Sequence, residues 1–450
     1  MIKRILTISL MLLLLKPAVA QETPLAKPLN LQEAINYALE HNEDVQKASY
    51  DELSAKYMIQ EAKSNGLPQI NGFGKLDVYP AIPVQVIPNV FEGKPDEMIA
   101  VQFGTKYNAQ GGVQVSQLLF NKSYFVGLQA AKSTRDLYRL RKAMTEEEVI
   151  YNVSSAYFQI LQTKEQFNTI DANLSRLEQL EKILALQYQN DLVKKVDVNR
   201  IKVNKTNLET QKQSLTSAVE QQMNLLKFFM GMPLEEPVEL VNTQILLTGD
   251  GVTVATADRA LQNQVQLQLL DKQKDLTSLQ LENIKAGYYP SLQLSGSYLY
   301  SAMRKEFNLL DGNMPWFNTA VVGVQLNIPI FDGMRKHAQI RQTEITMKSL
   351  EEDRKKLAKN VVVTLENSIN QLQNSSSAIQ AQEGNVTLAQ EVYDTTNKLY
   401  KEGISPLTDL LEAEVSLREA QTNLNNEVLK YKLAQLGYLK AAGELNTLTK

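Results

Sequence analysis

A long internal repeat is the feature that most constrains the fold of this chain. Residues 65–70 and 287–292 each end a helical pattern and open an alternating one, and their prolines, Pro68 and Pro290, lie 222 positions apart. Later pairs keep an offset of 211 or 212: Phe120 with Phe331, Tyr188 with Tyr400, Asp197 with Asp409, and Met230-Gly231 with Ala442-Gly443. Self-similarity at a fixed offset indicates a tandem duplication, so each copy should fold into the same unit.

The N-terminus has the composition of a secretory signal peptide. Lys3 and Arg4 give a basic start, residues 5–15 form an apolar run, and Ala18-Val19-Ala20 is a small-residue cleavage site. The apolar run is shorter than the roughly 20 residues that a membrane-spanning helix needs. We therefore expect residues 1–20 to be a signal peptide and the mature chain to begin near Gln21.

Composition excludes several classes of protein. The 450 residues include no cysteine, which excludes a disulfide framework, a thiolate metal site and a lipid-modified N-terminal cysteine. The 47 basic and 50 acidic residues nearly balance, so the chain has no electrostatic footprint for nucleic acid. We predict no nucleic-acid partner and no cofactor.

Helical patterns fill most of each copy. Residues 30–65 are amphipathic, with Asn30 and Glu33 in capping-box spacing, and Gly66 and Pro68 end the pattern. The other helical patterns cover residues 121–188 and 194–230 in the first copy and 254–286, 333–400 and 407–442 in the second.

The longest helices carry coiled-coil spacing. In the second copy apolar residues recur every seven positions, at Leu365, Leu372, Ile379, Val386, Tyr393 and Tyr400. This spacing is typical of helices wound around one another. A helix over residues 121–188 is roughly 100 Å long, and the two shorter helices of a copy together approach that length. We expect each copy to form one tall helical pair.

Residues between the helices alternate in the manner of strands. The clearest run, residues 319–331, places five apolar residues on one face: Val322, Val324, Leu326, Ile328 and Ile330. We expect the first four to face lipid. Strict alternation over about ten residues suits a strand with lipid outside and water inside. A hairpin packed on a soluble core would show the same pattern. The membrane interpretation is favoured because both hairpins adjoin helices that are too long to fold back over them.

Two hairpins per chain are too few to close a sheet. An open edge in lipid leaves backbone groups unpaired, and about eight strands is the least that closes around packed side chains. The sequence therefore predicts a mainly α protein with a membrane β-barrel portion. Three copies would form a 12-stranded β-barrel continuous with a long α-helical coiled-coil barrel, built from two tandem repeats per chain.

The chain divides accordingly into a signal peptide and two repeats. The first repeat covers residues 21–237 and the second covers 238–450, with a linker at 238–253. Each repeat should contain a helix, a β-hairpin, a long helix and a short helix.

No enzyme signature is present. The two histidines, His41 and His337, lie in helical stretches without a metal-ligand partner four positions on. Neither a P-loop nor a Gly-x-Ser-x-Gly elbow occurs. We predict no catalytic residue, no cofactor-binding residue and no metal ligand.

The most concentrated polar chemistry lies where each long helix turns into the next helix. Asp409 and Glu412 are three positions apart at a helix start, so they share one face. Acidic residues in a first turn also complement the helix dipole, which contributes roughly a few tenths of a kcal/mol. In an oligomer, each carboxylate would instead become part of a ring around the axis. The residues alone leave both interpretations open.

From about Leu29 to Gly443 the chain resembles the TolC-like outer-membrane efflux protein family. The resemblance rests on the duplication, both proline-led strands, the two Tyr-to-Asp turns, and the motifs at residues 31–42 and 328–333. It implies a homotrimer embedded in the lipid of the bacterial outer membrane, with a helical tunnel extending through the periplasm. It also implies docking to a periplasmic adaptor protein that links the trimer to an inner-membrane transporter.

By position, the resemblance implies a periplasmic gate. Asp409 and Glu412 match an acidic constriction, and Tyr400 and Asp197 match a Tyr-to-Asp bond that holds the closed state. Ser405 stands where the family's best-known gate has an arginine, so a charge-assisted bond of about 1.5–3 kcal/mol is not available there. The adaptor is expected to dock at the two turns: Asp191, Leu192, Val193, Gly403, Ile404 and Ser405.

The predicted function is an outer-membrane channel-tunnel that serves as the passive exit duct of a tripartite efflux or type I secretion system. A periplasmic coiled-coil adaptor protein is the main alternative, but it would show one helical hairpin beside a split, glycine-rich β-domain. A porin would need many strands and almost no long helices. The cargo is not indicated, because the residues expected to face the lumen are generic Gln, Asn, Ser and Thr.

Overall fold

The computed structural model describes residues 27–89, 93–241, 255–309 and 311–449. Within these ranges the chain is mainly helical, with helices α1 (Leu31–His41), α2 (Glu43–Ser64), α3 (Lys122–Gln189), α4 (Lys195–Met230), α5 (Ala257–Asn263), α6 (Val265–Ala286), α7 (Arg335–Lys401) and α8 (Leu407–Ala442). A 3₁₀ helix follows at Leu445–Thr449. The predicted signal peptide lies outside the described residues, as does most of the predicted linker 238–253.

The strands lie between the helices. They are β1 (Lys27–Leu29), β2 (Gln69–Val78), β3 (Val84–Asn89), β4 (Lys94–Gln102), β5 (Tyr107–Phe120), β6 (Val238–Leu240), β7 (Ser291–Arg304) and β8 (Phe317–Asn327). They form one four-stranded sheet in the order β2-β5-β7-β8 and two separate pairs, β1-β6 and β3-β4.

Corresponding helices of the two copies have matching lengths. Helices α2 and α6 each have 22 residues, α4 and α8 each have 36, and α3 and α7 have 68 and 67. Each copy therefore repeats one order of elements: two short helices, a hairpin, a very long helix and a shorter helix.

The first helical pattern of each copy is interrupted, whereas the sequence predicts one continuous helix over residues 30–65. The capping box at Asn30 and Glu33 is confirmed. The helix then breaks at Asn42, whose side-chain oxygen accepts hydrogen bonds from the Asp44 and Val45 amides and so starts a second helix. In the second copy the break falls at Gln264, and α5 begins at Ala257 rather than at residue 254.

The chain forms two compact units. Of the described residues, one unit comprises 27–47, 143–241, 255–265 and 359–449, and the other comprises 48–89, 93–142, 266–309 and 311–358. In the first unit, fully buried side chains of α3, among them Ile150, Tyr157 and Ile160, contribute to the core. The Tyr157 hydroxyl donates toward the Leu29 carbonyl over 3.0 Å, next to the parallel ladder of β1 and β6. This ladder was not predicted.

The second unit contains the four-stranded sheet, in which all neighbouring strands are antiparallel. Partners directly across a ladder share a side of the sheet, so the register defines two faces. One face is mostly apolar: Ile70, Leu76 and Val78 of β2, Val113 and Val115 of β5, Leu292, Leu294, Tyr298 and Tyr300 of β7, and Val322, Val324 and Leu326 of β8. The other face is mostly polar and includes Asn71, Gln114, Ser295 and Gln325.

The β3-β4 hairpin lies in a proline-rich stretch that contains Pro80, Pro83, Pro88 and Pro95. Its strands pair from Val84 opposite Gln102 to Pro88 opposite Met98. This hairpin occupies the extra residues of the first copy and has no described counterpart between β7 and β8.

The outer edges of the sheet are free within the described part of the chain. No described strand pairs with the outer edge of β2 or of β8. Across the described residues, no helix is both long enough and apolar enough to cross a membrane.

Candidate functional site

Two turns of the same geometry connect the long helices to the helices that follow them. The first turn, residues 190–194, joins α3 to α4, and the second turn, residues 402–406, joins α7 to α8. Asp191 and Gly403 have positive φ values of 54° and 76°. In both turns two backbone hydrogen bonds close a Schellman motif: Asp191 and Leu192 donate to Tyr188 and Gln187, and Gly403 and Ile404 donate to Tyr400 and Leu399.

An apolar cluster supports both turns. It joins Leu177 and Leu184 of α3, Ile201 of α4, and Leu407 and Leu410 of α8, all of them buried. Burial of side chains of this size contributes about 1.5–3 kcal/mol each. The cluster therefore fixes where the second turn and the start of α8 lie against α3 and α4.

Asp409 and Glu412 lie on the exposed side of α8, opposite the buried leucines. The Ser405 hydroxyl donates to Asp409 Oδ2 over 3.0 Å, and Thr408 Oγ1 lies 3.4 Å from Oδ1. Within the described part of the chain neither carboxylate forms an ion pair. Both carboxylates are exposed and could contact another copy of the chain or a cation. Ser405, at the position where the resemblance implies an arginine, forms a hydrogen bond with Asp409 instead.

Tyr400 and Asp197 are neighbours but are not hydrogen-bonded to each other in this structure. Tyr400 is half-buried and packs against the apolar cluster. Burial raises the pKa of the Tyr400 hydroxyl, and the nearby Asp197 carboxylate raises it further. The structure thus brings the two predicted partners close together without the bond itself.

The residues expected to dock an adaptor differ in exposure. Leu192 and Ile404, at equivalent positions of the two turns, are 73% and 68% exposed. Asp191 and Gly403 are also exposed. Val193, in contrast, is partly buried and packs against the apolar cluster. Leu192 and Ile404 are thus the exposed apolar side chains of the two turns, whereas Val193 packs inward.

A partly buried polar cluster above the second turn was missed by the sequence analysis. Its members are Arg176 of α3, Tyr393 of α7 and Glu414 of α8. The Arg176 guanidinium carbon lies 5.4 Å from the centre of the Tyr393 ring. Burial raises the pKa of the Glu414 carboxyl, and Arg418 and Arg176 partly offset the effect. The sequence signal was a glutamate in the stripe of buried residues that includes Leu410 and Leu417.

The predicted lipid-facing residues are exposed in the structure. Val322, Val324 and Leu326 lie on the apolar face of β8. Ile328 is also exposed but lies one residue beyond the end of β8, so the predicted strand is too long there. Across the described ranges, no group of three or more His, Asp or Glu side chains is placed to hold a metal ion.

Comparison with known proteins agrees with this geometry. Residues 256–444 match the family model described as outer membrane efflux protein. The chain is 24% identical to the outer membrane protein TolC of Escherichia coli strain K12 over 439 residues, which cover 94% of this chain and 84% of TolC. A second relative, the proteases secretion protein PrtF of Dickeya chrysanthemi, is 22% identical over 56% of this chain and 54% of its own length.

Solved structures extend the similarity to the fold. The outer membrane protein VceC of Vibrio cholerae superposes with a TM-score of 0.70 at 16% identity, covering 92% of this chain and 96% of VceC. Structure and sequence agree that the likeness spans both copies rather than one. The second copy thus matches the outer membrane efflux protein family model, and the chain is similar to TolC over 94% of its length.

Proposed function

We infer that this protein is an outer-membrane channel-tunnel that serves as the exit duct of a tripartite efflux or type I secretion system. The observation that carries the inference is the four-stranded sheet, which exposes an apolar face and has two unpaired outer edges among the described strands. Its strands lead directly into helices of 68 and 67 residues, far longer than a compact globular core requires. Cargo would move passively, with energy supplied by an inner-membrane transporter.

The free edges support assembly from three copies. In lipid every backbone amide and carbonyl must be paired, so a sheet has to close. A sheet of four strands is below the roughly eight that close around packed side chains. In a homotrimer, β2 of one copy would pair with β8 of the next. The apolar face would then contact outer-membrane lipid and the polar face would line the lumen.

The acidic pair supports a gate at the second turn. Around a threefold axis, Asp409 and Glu412 would place six carboxylates close together. Such a ring attracts multivalent cations and disfavours anions. The hydrogen bond from Ser405 to Asp409 supports this assignment, because it orients one carboxylate of the proposed ring.

The exposed apolar tips support docking to a periplasmic adaptor protein. Leu192 and Ile404 project from turns of the same geometry, so one kind of adaptor tip fits both. The Dickeya chrysanthemi relative is named for protease secretion, which favours an export system rather than a general porin.

Single-channel recording in planar bilayers tests the proposal. We expect a small, cation-selective conductance that a trivalent cation blocks from the periplasmic side. Asp409→Ala combined with Glu412→Ala should remove the block, because the ring of negative charge is lost. Asp197→Ala should leave the block in place but raise the conductance, because it removes the neighbour of Tyr400.

Two results would count against the gate. The double variant would keep the wild-type block and selectivity if these carboxylates only complement the helix dipole. A protein that forms no channel at all would contradict the exit-duct function itself.

A further inference from the structure

A cavity of about 520 Å³ lies above the second turn, between α3, α7 and α8. This volume falls in the range of sites for small organic molecules. Its wall combines apolar, aromatic and charged side chains, including all three members of the partly buried polar cluster. The cavity is thus distinct from the exposed carboxylates of Asp409 and Glu412.

Several polar atoms in this wall are buried without a hydrogen-bond partner. Glu414 is only 5% exposed, and its Oε1 atom has none. Arg176 Nε and Gln187 Oε1 are also unpaired, although another guanidinium nitrogen of Arg176 donates to Asn173. Buried polar groups are normally satisfied, so a set of unpaired ones around one cavity indicates a missing polar occupant.

The charge balance of the wall favours an anion. Arg176 and Lys401 line the cavity as cations, and Glu414 is the acidic residue among the lining side chains. Burial raises the pKa of Glu414 and so favours its neutral form. A neutral Glu414 would donate a hydrogen bond to an anionic oxygen, while Arg176 Nε–H would donate a charge-assisted one.

The shape of the cavity favours an apolar body behind the anionic group. Arg176 and Gln187 are eleven residues apart on α3, a separation of roughly 16 Å along the helix. Between them the wall is formed by Leu177, Leu180 and Ile183, with Leu410 opposite. A purely polar occupant would leave this apolar surface in contact with water, whereas an apolar group would cover it.

We propose that the cavity is a binding site for a small amphipathic organic anion such as an aryl carboxylate. The carboxylate lies between Arg176 and Glu414, and the aromatic body lies along Leu177, Leu180 and Ile183. Tyr400, Gly403 and Ser405 line the same cavity, so an occupant contacts α3 and the second turn together. Resting on the proposed function, this contact would hold the gate closed.

Isothermal titration calorimetry on the purified full-length protein tests the site with three probes of one shape. They are 2-naphthoate, its neutral amide 2-naphthamide, and the cation 2-naphthylmethylammonium. We expect saturable binding of 2-naphthoate, at least tenfold tighter than binding of the cation. Stronger binding of the cation, or no saturable binding of 2-naphthoate, would overturn the proposal.

Variants locate the site. Arg176→Met should weaken 2-naphthoate binding at least tenfold, whereas Arg341→Met, at an exposed arginine on α7, should leave it unchanged. Glu414→Gln should retain binding, because the amide still donates a hydrogen bond. Ile183→Trp should abolish binding, because the larger side chain occupies the cavity without altering any charge. This variant tests the site even if Arg176→Met fails to fold. Unchanged affinity in Ile183→Trp would place the binding elsewhere.

Single-channel recording separates the site from the channel function. If 2-naphthoate lowers the open probability of the wild type but not of Ile183→Trp, both the site and its coupling to the gate hold. Binding in the calorimeter by a protein that conducts no ions would uphold the site and contradict the exit duct.

Discussion

Gly231 and Gly443 occupy equivalent positions at the ends of α4 and α8, with φ values of 66° and 68°. Added Cβ atoms would lie 2.5 Å from the His41 carbonyl oxygen and 2.8 Å from Asn263 Cβ. Beside them, the Asn42 side chain donates to the Phe229 carbonyl over 3.0 Å, and Gln264 donates to the Lys440 and Ala441 carbonyls over 2.9 and 2.8 Å. In each copy, a left-handed glycine and an amide side chain thus pack the helix break against the end of the following shorter helix, α4 or α8.

Gly231→Ala should destabilise the protein more than Gly333→Ala. Both glycines have a left-handed backbone, with φ values of 66° and 67°, and an L residue there costs roughly 1–2 kcal/mol. Only at Gly231 would the new Cβ also meet a neighbouring backbone, because nothing lies within 4 Å of the Gly333 position. Thermal unfolding followed by circular dichroism compares the two, and equal losses would show that the close approach of α1 is readily relieved.

Glu414→Gln should reduce the pH dependence of stability. Burial raises the folded-state pKa of Glu414, so the folded protein favours the protonated form. Its stabilising contribution is complete below the unfolded pKa of about 4.3 and is lost as the pH rises through the folded value. Wild type should therefore lose stability relative to Glu414→Gln as the pH rises from the unfolded pKa of about 4.3 through the raised folded pKa. A constant difference in melting temperature over that range would contradict the prediction.

At the scale of single elements, the periodicity of the helices and the capping box could be predicted from the sequence. The break within the first helix and the extra β3-β4 hairpin could not. The long α3 and α7 follow from seven-residue spacing without internal proline. The break at Asn42 was missed because a buried asparagine that starts a new helix has the same sequence pattern as a polar residue on a helix surface. The β3-β4 hairpin was not expected because its stretch carries four prolines, among them Pro88 within β3, whereas an edge strand tolerates proline.

Only those residues of the candidate site that occupy matched positions in the two copies could be predicted from the sequence. Asp409 and Asp197 are matched positions of the two copies, and both turns recur with the same spacing. The role of Glu414 depends instead on how α8 packs against α3, and no local pattern specifies that contact. The partial burial of Val193, in a turn expected to dock an adaptor, likewise depends on packing against the apolar cluster.

Arginine at alternate positions of β8 should have opposite effects. Val324 lies on the apolar face and Gln325 on the polar face. Val324→Arg should cost about 2–4 kcal/mol if the apolar face contacts lipid near the middle of the bilayer. Gln325→Arg should be tolerated in a water-filled lumen. The yield of assembled protein in the outer-membrane fraction measures both, and equal damage at the two positions would indicate a packed soluble sheet.

At the scale of the whole molecule, the four-stranded sheet of a single chain is not closed. The four-stranded sheet has two free edges among the described strands, and its exposed apolar residues include Val322 at 80%. A free edge and an exposed apolar face are both unfavourable for an isolated chain. In the proposed trimer, pairing between copies would remove the edges, and lipid would cover the apolar face.

The purified protein should therefore be a trimer in which β2 of one copy pairs with β8 of the next. Native mass measured in a mild detergent should equal three mature chains, because four strands cannot close alone. The chain contains no cysteine, so single cysteines introduced along β2 and β8 will report the pairing by forming disulfides between copies. We expect cross-linked trimers only for matched pairs of positions. Moving the cysteine by one residue along β2 should move its cross-linking partner by one residue along β8. A folded, monodisperse monomer, or cross-links only between β2 strands, would contradict closure by this edge pairing.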